Sequence, residues 1–268
     1  MKSSNVLKLL LGLACSSFAA DYFCYVPGAG GLGDYLKTQV VKELNESGIP
    51  FVAFPVSSKG DVKARAHELI KYFEELNAKD HWARCHLMAF SMGGLVIRYA
   101  TAHLTFKDSD GVDVPLSTRV MTQTSISSPH YGTPLAGFLK QNYPGLKPGL
   151  EDLTQDALKI YNDPNSEDYS PVLEGIPFFS YRTFVENKDV ISGVLGRIGF
   201  QFITHFQETL GLDPRNDGIV PTESMGFGLV LGDIERPHDM MSFDDGQHPN
   251  AIDFLSQHWS WLQSNVLN

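Results

Sequence analysis

Short apolar runs alternate along the chain with longer segments whose apolar residues recur every three or four positions. The runs "YFCYV" (22–26), "PFVAFPV" (50–56), "CHLMAF" (85–90), "RVMTQTSISSP" (119–129), "IPFFSYRTF" (176–184) and "MGFGLVLGDI" (225–234) read as strands. Between them, "YLKTQVVKELNESG" (35–48) is a helix pattern that stops at Gly48. Asp61 can cap the next helix, in which Val62, Ala66, Leu69, Ile70, Phe73 and Leu76 share a face. The segments "GGLVIRYATAHL" (93–104), "LEDLTQDALKIY" (150–161) and "PNAIDFLSQHWSWL" (249–262) are helical by the same spacing. Strands alternating with helices predict an α/β fold: a mostly parallel sheet with helices on both faces. No repeat or linker divides it, so residues 20–268 read as one domain.

The stretch from about 137 to 175 is rich in Pro, Gly and Asn and long for a plain connection. Insertions of this kind often form lids over active sites. Leu146, Leu150, Leu153 and Leu158 would supply a lid's apolar inner face; packed on the core instead, they would make it an ordinary insertion.

Composition narrows the picture. The chain has 268 residues, 43% of them hydrophobic, which suits one large domain with a real core. Lys and Arg total 21 against 31 Asp and Glu, a formal charge of -10, with no basic run. That argues against nucleic acid as a partner and against electrostatic docking on anionic lipid. At the N-terminus, Lys2, "LLLGLA" and "CSSFAA" read as an export signal cleaved after Ala19; the alternative is a first strand. Cys15 follows "LGLA", which matches a lipid-attachment motif only loosely. No later segment has the length of a membrane span. The mature chain would keep Cys24 and Cys85, expected as buried free thiols, with a disulfide open to them in an oxidising compartment.

The segment "AFSMG" (89–93) sits where a strand turns into a helix. A serine in such a turn projects clear of the backbone, and small neighbours let strand and helix come close, as in the G-x-S-x-G nucleophile elbow. Here Ala89 and Gly93 are the small residues around Ser91. A serine nucleophile needs an imidazole to take its proton and a carboxylate to orient the imidazole. In chain order the acid and base should follow Ser91. Asp217, in the turn "NDG", is the acid candidate, although Asp-Gly turns need no function. His67, His81, His86 and His103 lie in or near helices and strands before or around the elbow. His130 and His205 precede Asp217, and His258 lies inside the closing helix. His238 and His248 remain, with His238 nearer the strand end. An oxyanion would be held by backbone N–H groups, one from Met92 and one from the loop "VPGAGGLG" (26–33). Gly28, Gly30 and Gly33 also spell a dinucleotide fingerprint, but no acidic residue ends the second strand.

Taken together, these segments resemble the bacterial triacylglycerol lipase family of the α/β-hydrolases over residues 22–262. "KARAHELIKYFEELNAK" followed by "CHLMAFSMGGLVIRYA" is similar to its helix, strand and elbow. "TSISSPHYGTPLAGFL" resembles a later strand end, "LEDLTQDALKIYN" then "GIPFFSY" the segment after its lid, "NDGIVPTES" its acid loop and "PHDMMSF" its histidine loop. The resemblance implies an α/β-hydrolase fold and a serine lipase or carboxylesterase that works on lipid or ester substrates, at a lipid–water interface where a lid operates. It implies Ser91 as nucleophile, Asp217 as acid and His238 as base, since the family's acid-to-histidine spacing favours His238 over His248. It further implies Ala29 and Met92 as oxyanion donors, with His130 near the site but outside the triad. Three departures stand out. Pro27-Gly28 replaces the usual His-Gly, and Ala89-Phe90-Ser91 replaces Gly-His-Ser. Met240 stands where many relatives carry a calcium-binding Asp, so no clear ligand set supports a structural calcium, and no cofactor is expected. The same triad serves phospholipases, thioesterases and acyltransferases, and a non-catalytic binding protein on this fold is the reading from another class.

Overall fold

The computed structural model describes residues 20–143, 149–191, 193–239 and 250–267. The expected signal segment, Leu146, Met240 and His248 lie outside these residues. Six strands form one parallel sheet: β1 (Asp21–Val26), β2 (Phe51–Ala53), β3 (Arg84–Phe90), then β6 (Val120–Ile126), β7 (Phe178–Phe184) and β8 (Leu229–Glu235). Their spatial order is β2-β1-β3-β6-β7-β8, every neighbouring pair parallel. A short antiparallel pair, β4 (Thr105–Lys107) and β5 (Asp113–Pro115), stands apart. All six expected strands are present.

Alternation along the strands sends side chains to two cores. Phe23 and Tyr25 of β1 and Met88 and Phe90 of β3 join Leu36, Val40 and Leu44 on one face. Those last residues belong to a helix that starts as a π turn, Leu36–Val40, and continues as α1 (Val41–Glu46). The closing helix, α7 (Asn250–Asn265), covers the same face through Ala251, Leu255, Trp259 and Leu262. Cys24, Val26, Leu87 and Ala89 face the other way, onto α2 (Val62–Lys79) and α3 (Met92–His103). Asp61 caps α2, its side chain accepting from Ala64 N, as its position predicted. A helix the sequence pattern did not single out, α6 (Val194–Thr209), packs through Ile203 on Leu135 and Leu139 of α4 (Pro134–Asn142).

Two expectations change. Cys24 and Cys85 are not free thiols: they form a disulfide between β1 and β3, with Cα atoms 5.7 Å apart. Both side chains point to the same face of adjacent strands, at a spacing a disulfide spans. Their separation of 61 residues restricts the unfolded chain, a stabilisation of about 4 kcal/mol by loop-closure entropy. The expected lid face is also different. Leu153 and Leu158 are buried in the core and Leu150 packs against it. Asp152 accepts from Val62 N at the start of α2, and Leu153 O accepts from Thr133 N. The guanidinium of Arg98, 2% exposed, donates to Ser170 O and to Asn162 Oδ1, at the end of α5 (Gln155–Asn162). This segment is therefore fixed to α2, α3 and the start of α4, and Leu153 and Leu158 are core residues.

A polar seam crosses the face under α7. His86 Nδ1 pairs with Thr122 Oγ1, while His258 pairs with Thr124 Oγ1 and Tyr181 Oη. Burial pushes His86 down to about 4 and His258, which also feels His86, down to about 3. The folded protein thus keeps both rings neutral, whereas the unfolded chain takes up protons near the ordinary 6.5. Their contribution is complete above that value and falls as pH drops toward 4, by about 1.4 kcal/mol per pH unit per ring. The melting temperature should therefore fall from pH 6.5 to 4.5, and fall less steeply in His258→Gln. Parallel melting curves for the two proteins across that range would show that His258 is not responsible.

Candidate active site

Every expected site residue within the described chain comes to the edge of the sheet where parallel strands end, the usual binding edge of such sheets. Ser91 follows β3, Gly28 and Ala29 follow β1, and His238 lies three residues past β8. Ser91 has φ 53° and ψ −129°, in the left-handed half of φ that side chains avoid. The turn is held by Ser91 N donating to Ile126 O at 2.9 Å and by Gly94 N donating to Ser91 O at 3.0 Å. Close packing dictates the small residues. A Cβ on Gly93 would stand 2.7 Å from the carbonyl oxygens of Val26 and Pro27. One on Gly28 would stand 2.9 Å from the Ser91 Cβ and from the Phe90 ring.

The three polar side chains form one line. Ser91 Oγ lies 2.9 Å from His238 Nε2, and His238 Nδ1 lies 2.7 Å from Asp217 Oδ2. A carboxylate can only accept, so Nδ1 carries the proton and Nε2 offers its lone pair to the serine hydroxyl. Asp217 is 1% exposed and fully engaged: Oδ1 accepts from Ile219 N and Val220 N, Oδ2 from His238 and Thr183. Its turn is built by Asn216, whose Oδ1 accepts from Gly218 N. His238 N donates to Asp217 O, which ties the histidine loop to the acid loop through the backbone as well. The Phe90 ring sits 4.9 Å from the His238 ring, so the elbow's departure from Gly-His-Ser gives the imidazole an apolar wall.

Met92 follows Ser91 in the chain and Ala29 follows Gly28, which packs against Ser91, and a residue the sequence reading passed over holds both segments. Arg65 of α2 is 1% exposed. Its Nη2 donates to Pro27 O at 2.9 Å and Gly28 O at 2.7 Å, and its Nη1 lies 2.8 Å from Met92 Sδ. In a trans peptide the C=O and the following N–H point in opposite directions. Fixing the Gly28 carbonyl on Arg65 therefore turns the Ala29 N–H away from it. Burial pushes Arg65 down to about 10, so it still carries its charge at neutral pH. The signal was available: Arg65 interrupts the apolar face that Val62, Ala66 and Leu69 define. The glycine loop thus approaches Ser91 with its carbonyls held by a buried cation, which does not suit the dinucleotide alternative.

His130 is buried beneath the site, as expected outside the triad. Its Nε2 pairs with Ser125 Oγ and its Nδ1 with Arg98, and burial beside that cation holds it well below the ordinary histidine range. Among the described residues no group of His, Cys, Asp and Glu is placed to hold a metal ion, and no helix is long and apolar enough to cross a membrane.

The sheet order and this line of side chains are those of the α/β-hydrolase fold. Residues 34–138, from before the π turn into α4, match the family described as "Putative serine esterase (DUF676)". The chain is similar in structure to the mature lipase BlEst2 of Bacillus licheniformis, with 15% identity and a TM-score of 0.64 over 88% of this chain and 92% of that one. Lipase 1 from Pelosinus fermentans gives 16% identity and 0.63 over 90% and 98%. EstA from Clostridium botulinum gives 16% and 0.63 over 92% and 88%. At such identities the likeness establishes the fold. No curated protein matches the chain in sequence.

Replacing Arg65 with Met keeps the bulk and removes the donors. Since losing one oxyanion donor costs about 10² to 10³ in kcat, Arg65→Met should lower kcat on the order of 10² with a smaller change in KM. Steady-state kinetics on a folded variant check this, and an unchanged kcat would contradict it.

Proposed function

We propose that the chain is a serine hydrolase that cleaves carboxylic esters of lipids, as a triacylglycerol lipase or carboxylesterase, through an acyl-enzyme. The observation that carries this reading is the unbroken line Ser91–His238–Asp217, at 2.9 Å and 2.7 Å, standing on a strained turn. Ser91 Oγ attacks the ester carbonyl carbon while its proton passes to His238 Nε2. The oxyanion that forms meets the N–H groups of Ala29 and Met92, the latter at the N-terminus of α3, where the helix dipole also favours negative charge. Collapse expels the alcohol, which takes the proton from Nε2, and water then repeats the sequence to release the acid. Asp217 holds the imidazole in the productive tautomer throughout. Nucleophile, base and oxyanion donors are all groups of the chain, so this chemistry draws on no cofactor.

An apolar surface beside the site supports a lipid substrate. Val190, just before α6, and Val194, Leu195 and Ile198 at its start are half or more exposed. That helix rests on the acid loop, where a Cβ on Gly199 would meet Gly218 O. The names of the structurally similar lipases and esterase point the same way. The disulfide supports export to an oxidising compartment, secreted or periplasmic, in line with a signal cleaved after Ala19.

A serine-reactive fluorophosphonate, followed by intact mass, tests the reading in one step. The exported protein should begin at Ala20 and gain a single adduct, and Ser91→Ala should gain none. Hydrolysis of a short-chain nitrophenyl ester should vanish in Ser91→Ala and fall on the order of 10⁴ in Asp217→Asn, where the imidazole loses its tautomer. A folded Ser91→Ala that still takes the label, or keeps activity within about tenfold of wild type, would defeat the assignment.

A further inference from the structure

Two buried hydroxyls stand behind the acid and have no part in the chemistry above. Thr183 lies near the end of β7 and Ser127 just after β6, both 0% exposed. Thr183 Oγ1 is 2.7 Å from Asp217 Oδ2 and 2.8 Å from Ser127 Oγ, with Met225 Sδ at 3.3 Å. A threonine hydroxyl has one proton to give. Asp217, ionised, can only accept and is the strongest acceptor of the three. The proton therefore goes to Asp217, and the Ser127 hydroxyl turns to donate to Thr183 Oγ1. The result is a two-step relay, Ser127 to Thr183 to Asp217, that ends on the same oxygen that receives His238.

The backbone supports this arrangement. Among the described residues, Ser91 and Ser127 are the non-glycine residues with positive φ, 53° and 54°. Such a conformation persists only where the surroundings over-determine it. Ser127 N donates to Tyr181 O, which binds the strained residue to the strand that carries Thr183. The strain thus holds the Ser127 hydroxyl under Thr183, much as the strain at Ser91 presents the nucleophile.

We propose that Thr183, steered by Ser127, is a positioning residue that fixes the rotation of the Asp217 carboxylate and, through it, the aim of His238 at Ser91. This rests on the hydrolase reading above. Two backbone N–H groups hold Oδ1, and Thr183 and His238 share Oδ2. Without the hydroxyl, only the moving partner remains on Oδ2, so the carboxylate can follow the imidazole instead of directing it. Thr183 touches no substrate, so its loss should act on turnover rather than on binding.

The test compares Thr183→Val, Thr183→Ser and Ser127→Ala with wild type on a soluble nitrophenyl ester, alongside melting curves. It adds the low-field proton NMR signal of the His238 Nδ1–H. In Thr183→Val, kcat should fall on the order of tenfold while KM stays within about twofold, since one hydrogen bond to a charged group is lost. The NMR signal should move. Thr183→Ser, which restores the hydroxyl, should recover most of kcat and the original signal. Ser127→Ala should give a smaller loss in kcat. A folded Thr183→Val with wild-type kcat overturns the proposal. So does a Thr183→Ser variant as damaged as Thr183→Val, because packing of the methyl would then be the cause. Should Thr183→Val not fold, Ser127→Ala decides: a lower kcat at constant KM upholds the relay and an unchanged kcat refutes it. If wild type neither labels nor hydrolyses esters, the hydrolase reading fails by itself. The proton signal still reports the His238–Asp217 bond, and it must shift in Thr183→Val and not in Thr183→Ser.

Discussion

The backbone at Ser91 is the constraint on which the site depends. A side-chain-bearing residue at φ 53° and ψ −129° costs about 1–3 kcal/mol and is retained only by its surroundings. Here the surroundings are the close approach of three elements. The end of β1 runs against α3 so tightly that Gly93 has no room for a Cβ, and Gly28 is pressed against Ser91 itself. Ile126 at the end of β6 takes the Ser91 N–H. The parallel sheet behind them sets these distances, and the Cys24–Cys85 disulfide ties β1 to β3. The serine is presented because strand order, helix position and loop glycines all agree.

The same logic extends outward through buried polar groups. Arg65 fixes the glycine loop by its carbonyls, Asn216 folds the acid turn, and Arg98 pins the segment at Asn162 and Ser170. Each is a polar group in the interior that holds backbone groups of a loop by hydrogen bonds. Leaving such groups unmade would cost more than making them gains, so they rigidify what they touch. Function on this fold depends on such sites rather than on the sheet alone.

Much of this was legible in the sequence, and the reasons differ by element. The strands and α2 and α3 declared themselves through strong periodicity. Ser91 and Asp217 sat in loops with turn chemistry at strand ends, in a recognisable order, whereas the choice of His238 over His248 came from the family resemblance. The failures have physical causes. Helix α6 went unrecognised although Val194, Leu195, Ile198, Phe202 and Phe206 share a face opposite Arg197, Gln201, Thr204 and Glu208; its apolar face is exposed at its start, so burial did not follow the pattern there. Cys24 and Cys85 look like any buried thiols until the register of β1 against β3 places them together, and register is not written locally. Leu153 and Leu158 repeat at helical spacing whether the helix covers a core or a substrate, so spacing could not separate a lid from an anchored segment. Thr183 and Ser127 carry no pattern at all, since what distinguishes them is a distance across two strands.

The most direct measurement is a crystal structure of the protein after reaction with an alkyl phosphonate, whose tetrahedral phosphorus imitates the ester's transition state. The account predicts phosphorus bonded to Ser91 Oγ, with its negatively charged oxygen within about 3.1 Å of both the Ala29 and Met92 nitrogens. It also predicts His238 Nε2 facing the leaving-group side while Nδ1 stays on Asp217. A phosphonate bonded to Ser91 whose oxygen points away from those two N–H groups, or one bonded to another residue, would contradict it.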